Sequence, residues 1–122
     1  MCKPTGSSKA DKVYKQYEFY KSQHKQIDFD DMLTKCYEIL RSNDEALQFC
    51  QDKFKFILAD EMQDTNAAQY AILSLIAEKH HNVFIVDDPL QNIFMWRGSD
   101  NKFVMNFDQD WPDTKVIHLN KN

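Results

Sequence analysis

The chain has 122 residues, a formal net charge of −4 from 15 basic and 19 acidic residues, and a hydrophobic content of 43%. That content, with two tryptophans, can form a small core and excludes a disordered chain. The acidic balance excludes a uniformly basic nucleic-acid-binding protein, so any DNA contact must be local. No apolar run has the length of a membrane span and no signal peptide is recognisable, so we expect a cytoplasmic protein with no membrane partner.

The first half of the chain favours helices. Residues 1–10 contain Pro, Gly and Ser and are predicted to form a flexible leader. Residues 11–26 are predicted to be helical, because four aromatic or apolar side chains share one helical face: Val13, Tyr17, Tyr20 and His24. A second, amphipathic helix is predicted to begin at Asp28, where we interpret the acidic cluster as helix capping, and a short helix is predicted over residues 43–51.

The second half predicts a parallel sheet. Three short apolar runs are predicted to be strands: residues 54–59, 82–86 and 114–119. The first two lack alternation, as expected for strands covered on both faces. The helix between them is predicted to begin at Asn66, with Gln69 completing a capping box. Strand, helix and strand at this spacing predict a βαβ unit, so the fold class is α/β, a short parallel sheet flanked by helices.

Two of the predicted strands end in paired carboxylates. Asp60 and Glu61 follow the first strand, and Asp87 and Asp88 follow the second. Ligands bind beyond the carboxyl ends of parallel strands, and four carboxylates at one edge should favour a bound cation. A strand followed by Asp-Glu also suits nucleotide hydrolysis, in which the first carboxylate holds Mg²⁺ and the second orients an attacking water.

Four segments, in the family's order, resemble the UvrD/Rep family of superfamily 1 DNA helicases. Residues 57–70 read ILADEMQDTNAAQY and match every defined position of the family's motif II, DE-x-QDTN. Residues 86–100 read VDDPLQNIFMWRGSD and resemble motif III, and residues 27–33 read IDFDDML and resemble a segment that precedes motif II. The chain ends in LNKN, which resembles the start of motif IV.

The resemblance implies a domain organisation and a ligand set. It implies that residues 27–122 are part of a RecA-like P-loop NTPase motor domain, and that residues 11–26 resemble the end of the helicase insertion subdomain. ATP and Mg²⁺ are the implied cofactors, and single-stranded DNA is the implied partner. The implied activity is that of an ATP-dependent, 3′-to-5′ DNA helicase acting in repair or replication.

The resemblance also implies residue roles. Asp60 would hold Mg²⁺ and, with Asp88 and Gln91, contact the nucleotide. Glu61 would be the catalytic base, and Gln91 would sense the γ-phosphate. Three residues would contact DNA: Phe94, Trp96 and Arg97. From the residues alone, Phe94 and Trp96 are better interpreted as core residues, and Arg97 could equally be an ion-pair partner of Asp100 or Asp64.

The sequence departs from the family in two ways. The phosphate-binding loop G-x-x-x-x-G-K-[ST] is not found, since Gly6 is the only glycine upstream of motif II. Asp87 stands where the family's motif III has Gly, which places extra bulk and charge beside the expected γ-phosphate. We therefore expect a helicase fragment that is inactive alone. The alternatives are a non-catalytic module that binds single-stranded DNA or protein, and one half of a split ATPase whose missing segments lie on another chain.

Overall fold

Six α-helices, one 3-10 helix and two β-strands occur in the part of the chain that the computed structural model describes, which is residues 9–88, 91 and 102–119. The predicted leader over residues 1–10 lies almost wholly outside these residues. The chain divides into two compact units, Met1–Met32 and Leu33–Asn122.

The first unit contains helix α1, Lys9–His24, which ends at Lys25 in a left-handed backbone conformation. The predicted apolar face of this helix is exposed at Val13, Tyr17 and Tyr20. Its buried residues are instead charged, and the Lys21 side chain donates to Asp28 at 2.9 Å and to Asp31 at 2.7 Å. These bonds hold the pKa of both carboxyls below the usual range.

Helix α2, Phe29–Ser42, begins as the sequence predicted. The Asp28 side chain accepts a hydrogen bond from the Asp31 backbone N–H at 2.9 Å, and the Asp31 side chain accepts one from the Asp28 backbone N–H at 3.1 Å. Reciprocal bonds of this kind satisfy backbone donors at a helix start. The interpretation of this acidic cluster as helix capping is therefore confirmed.

The second unit is built around a two-stranded parallel sheet. Strand β1, Ile57–Ala59, pairs with β2, Val83–Ile85, so that Ile57 lies opposite Val83 and Ala59 opposite Ile85. The unit also contains most of α2, and in addition α3 at Asp44–Lys53, the 3-10 helix at Met62–Asp64, α4 at Ala67–Ala77, α5 at Lys102–Met105 and α6 at Phe107–Asp110. The result is a helix-rich α/β arrangement, and the predicted βαβ unit is present.

Helix α4 connects the strands. The Asn66 side chain accepts from the Gln69 backbone N–H, and the Gln69 side chain accepts from the Asn66 backbone N–H, so the predicted capping box is confirmed. The core beside it is formed by Met62, Tyr70 and Phe107. This packing fixes the 3-10 helix that follows β1, and the 3-10 helix carries part of the candidate site.

Three expectations about the sheet are wrong. Residues 114–119 form no strand, and Leu119 in this segment is 85% exposed, because the segment lies against no strand in the described residues. The first two strands are not covered on both faces either, since Leu58 is 76% and Phe84 58% exposed. The strands are also shorter than predicted.

No helix in the described ranges is long and apolar enough to cross a membrane.

Candidate functional site

The parallel register brings the two carboxylate pairs to one edge of the sheet. Ala59 lies opposite Ile85, so Asp60 and Glu61 leave β1 where the chain leaves β2 towards Asp87 and Asp88. The pairing continues beyond the strands, since the Val86 backbone N–H donates to the Ala59 carbonyl at 2.8 Å. The juxtaposition that the sequence predicted is therefore present in the structure.

Glu61 has an unusual backbone. Its φ of 52° and ψ of 44° are left-handed, a conformation that costs a residue with a side chain about 1–2 kcal/mol. The Asp60 side chain accepts a hydrogen bond from the Glu61 backbone N–H at 3.0 Å, and the next backbone N–H, of Met62, donates to the Val86 carbonyl at 3.0 Å. This turn leaves the Asp60 and Glu61 side chains exposed, where a ligand can reach them.

Gln63 lies beneath these carboxylates and is only 1% exposed. Its side-chain Nε2 donates to Glu61 Oε2 at 2.6 Å, and its Oε1 accepts from the Asp88 backbone N–H at 3.2 Å. The motif match included this residue without giving it a role. Its contacts depend on the left-handed turn at Glu61, and no periodicity in the sequence signals that turn.

Gln91 joins the same group. Its side-chain Nε2 donates to Asp88 Oδ2 at 2.6 Å, and its backbone N–H donates to the Asp88 carbonyl at 2.9 Å. Gln91 is exposed. Four of the residues selected from the sequence, Asp60, Glu61, Asp88 and Gln91, are thus brought to one edge of the sheet.

Asp87, which stands where the resemblance to motif III places a glycine, lies in surroundings unfavourable to its charge. Its Oδ1 is buried and has no hydrogen-bond partner. Burial, followed by the nearby charges of Asp88 and Glu61, raises the pKa of Asp87, while a backbone hydrogen bond from Gln63 opposes the rise. These surroundings favour the neutral acid of Asp87 over its carboxylate.

The residues at this edge suit a Mg²⁺ ion that binds together with a nucleotide better than a metal ion held by protein side chains alone. Within residues 9–88, 91 and 102–119, no three His, Cys, Asp or Glu side chains are grouped to hold a metal ion. The expectation that the four carboxylates together hold a cation is not met there. Mg²⁺ commonly takes one or two carboxylates, with waters and substrate phosphates supplying the rest. The exposed Asp60 carboxylate suits that arrangement.

The three predicted DNA-contacting residues, Phe94, Trp96 and Arg97, lie outside the described residues. So does Asp100, one of the two alternative ion-pair partners proposed for Arg97. The other, Asp64, has a buried Oδ1 without a hydrogen-bond partner.

Comparisons with known proteins identify the family. Residues 3–112 match the model of the UvrD/REP helicase N-terminal domain. The putative ATP-dependent DNA helicase YjcD of Bacillus subtilis is 40% identical over 111 residues, which are 91% of this chain and 15% of that protein. The ATP-dependent DNA helicase PcrA is 39% identical over 110 residues in Staphylococcus epidermidis and 37% identical over 110 residues in Staphylococcus aureus. The chain spans about 15% of the length of these relatives, and it belongs to the UvrD/REP helicase family.

Proposed function

We propose that this chain supplies the water-activating and coupling part of the ATP site of a DNA helicase, and that it does not hydrolyse ATP by itself. The observation that carries the proposal is the group of Asp60, Glu61, Asp88 and Gln91 at one edge of a parallel sheet. Its chemistry suits a phosphate-bearing ligand with Mg²⁺. Under this proposal the second unit is part of a RecA-like motor domain.

Each of the four residues has a task in this proposal. Asp60 holds Mg²⁺, which neutralises charge on the ATP phosphates when bound. Glu61 orients and deprotonates the attacking water, and its exposed carboxylate beside Asp60 supports that task. Asp88 and Gln91 contact the nucleotide, and their mutual hydrogen bond fixes the direction of the Gln91 amide.

The proposed DNA-binding surface is inferred from the amino-acid sequence. Phe94 and Trp96 are aromatic residues at alternate positions, and Arg97 follows them. Stacking of bases on aromatic side chains tolerates any base sequence, as a translocating motor requires. Single-stranded DNA is therefore the proposed partner of this segment.

Two observations support the proposal that the chain is inactive alone. The 122 residues contain no G-x-x-x-x-G-K-[ST] loop, which supplies backbone amides and a lysine to the phosphates. Asp87 also places a partly buried carboxyl where the family has glycine. In the proposed assembly the phosphate-binding residues come from another segment or chain. The same two observations favour a second candidate, a non-catalytic module that binds single-stranded DNA or protein.

The test is to measure ATP hydrolysis and single-stranded DNA binding with the purified chain. We expect no turnover above background, and salt-sensitive binding of an unstructured oligonucleotide. Loss of one stacked base costs about 1–3 kcal/mol, so Trp96→Ala should weaken binding about 5- to 150-fold. Phe49→Ala is the matched control, because Phe49 is an exposed aromatic on α3 and should leave affinity unchanged.

The outcomes separate the alternatives. ATP turnover by the chain alone would contradict the proposal that it is inactive by itself. Turnover that Glu61→Gln leaves unchanged would also contradict the proposed site. Turnover that appears only with a second polypeptide carrying a phosphate-binding loop, and disappears in Glu61→Gln, would favour a split ATPase. DNA binding without turnover in any mixture would favour the non-catalytic module.

A further inference from the structure

We infer that Gln63 is a positioning residue that joins the proposed catalytic base, Glu61, to Gln91 through Asp88. Three side-chain bonds form a continuous path. Gln63 Nε2 donates to Glu61 Oε2 at 2.6 Å, the Asp88 N–H donates to Gln63 Oε1 at 3.2 Å, and Gln91 Nε2 donates to Asp88 Oδ2 at 2.6 Å. The path runs from the end of β1 to the residues that follow β2.

The path requires an amide at position 63. A glutamine side chain offers a donor and an acceptor at once, and here the donor faces a carboxylate while the acceptor faces a backbone N–H. A glutamate could keep the bond from Asp88 but would repel Glu61. A methionine has nearly the same shape and could make neither bond well.

The backbone around Gln63 strengthens the connection. The Met62 N–H donates to the Val86 carbonyl at 3.0 Å, and the Gln63 backbone bonds to the Asp87 carboxyl. The 3-10 helix Met62–Asp64 is thus attached to the residues after β2 by main chain and side chain together. A displacement of those residues is therefore transmitted to Glu61.

The hydrogen bond from Gln63 orients the Glu61 side chain. Glu61 projects from a left-handed turn into solvent, where an isolated side chain would sample several rotamers. Because Gln63 holds one carboxylate oxygen, the direction of the other is fixed. Gln63 thereby orients the Glu61 carboxylate according to the position of Asp88 and Gln91. The effect on hydrolysis rests on the proposed function, whereas the path itself is a property of the folded chain.

The path can be tested on the whole 122-residue chain by following the side-chain amide signals of Gln63 and Gln91 in ¹H–¹⁵N NMR spectra. Glu61→Gln removes the charge at one end of the path. It should move the Gln63 amide signals strongly and the Gln91 amide signals by more than a linewidth. Gln63→Met should also move the Gln91 signals. Because Glu61 is exposed, its variant keeps the test usable if Gln63→Met fails to fold.

Gln51→Met is the matched control. Gln51 is also buried in the second unit, and its Nε2 donates to the Leu75 carbonyl at 2.9 Å, away from the path. This substitution deletes an equivalent buried amide and should leave the Gln91 signals in place. Gln91 signals that stay fixed in folded Glu61→Gln and Gln63→Met, or that move equally in Gln51→Met, would overturn the inference.

The effect on ATP hydrolysis is measured in a helicase that contains these residues and hydrolyses ATP. Misplacing a catalytic group by about 1 Å can cost about 100-fold in rate, so Gln63→Met should lower kcat by up to that factor and leave KM for ATP nearly unchanged. An unchanged kcat would overturn the positioning role even if the Gln91 signal moves. Absence of turnover before any substitution would contradict the proposed function, and the NMR result would still decide the path.

Discussion

The Asp87 carboxyl lies in surroundings that disfavour its charged form. It lies partly buried, with Oδ1 unpartnered and with Asp88 and Glu61 as nearby charges. Each of these features favours the neutral acid over the carboxylate. A glycine at this position would have neither the buried oxygen nor the charge. At neutral pH the Asp87 carboxylate therefore lowers the free energy of unfolding.

The pH dependence of this cost has a definite sign. Because the folded-state pKa of Asp87 is raised, its contribution to stability is fully present below the ordinary Asp pKa of about 3.9 and is lost as pH rises through the folded-state pKa. We therefore predict that Asp87→Asn increases the free energy of unfolding at pH 7 by more than at pH 4. Urea denaturation at the two pH values measures the difference. Asp113→Asn, in an exposed turn, is the control, and an equal effect of Asp87→Asn at both pH values would contradict the account.

The site was only partly predictable at the residue scale. Asp60, Glu61 and Asp88 could be selected because adjacent parallel strands must end at the same edge of a sheet. Gln63 could not be given a role, because its contacts follow from a left-handed backbone at Glu61 and from a neighbour 25 positions later in the chain, Asp88. Local pattern carries no information about either feature.

At the scale of the element, features encoded by adjacent residues were predictable. The capping boxes at Asp28 and Asn66 involve side chains three positions apart, so a short stretch of sequence determines them. The parallel pairing of β1 and β2 followed from the helix between them.

Elements that depend on distant partners were less predictable. Residues 114–119 have the composition of a strand, but a strand forms only against a neighbour that leaves a ladder open to it. The apolar side chains of this segment remain exposed at Val116, Ile117 and Leu119. The apolar face of α1 is exposed in the same way, although its spacing is typical of a packed helix.

At the scale of the whole molecule, the second unit exposes large apolar side chains on its sheet. Phe56, Leu58 and Phe84 are all exposed on or beside the two strands. Extended apolar surface and open strand edges promote association between copies.

We predict that the isolated chain self-associates and has low stability. Sedimentation velocity at increasing protein concentration should show species larger than the 14.5 kDa monomer. Leu58→Lys combined with Phe84→Lys should shift the distribution towards monomer, because both changes place charge on the exposed face of the sheet. Phe49→Lys, on α3, should shift it less. A single monomeric species at all concentrations, with a cooperative thermal transition, would contradict the prediction.

The central claim, that the ends of β1 and β2 carry the water-activating part of a helicase ATP site, is tested most directly in a chimera. Residues 27–119 would replace the matching segment of the 40%-identical B. subtilis relative, and DNA-stimulated ATP hydrolysis would be measured. We expect hydrolysis that Glu61→Gln reduces by about 10²- to 10⁴-fold, as for the loss of a general base, and that Glu78→Gln, a substitution at the end of α4, leaves unchanged. A folded chimera that binds ATP and DNA but hydrolyses equally well with and without Glu61 would contradict the claim.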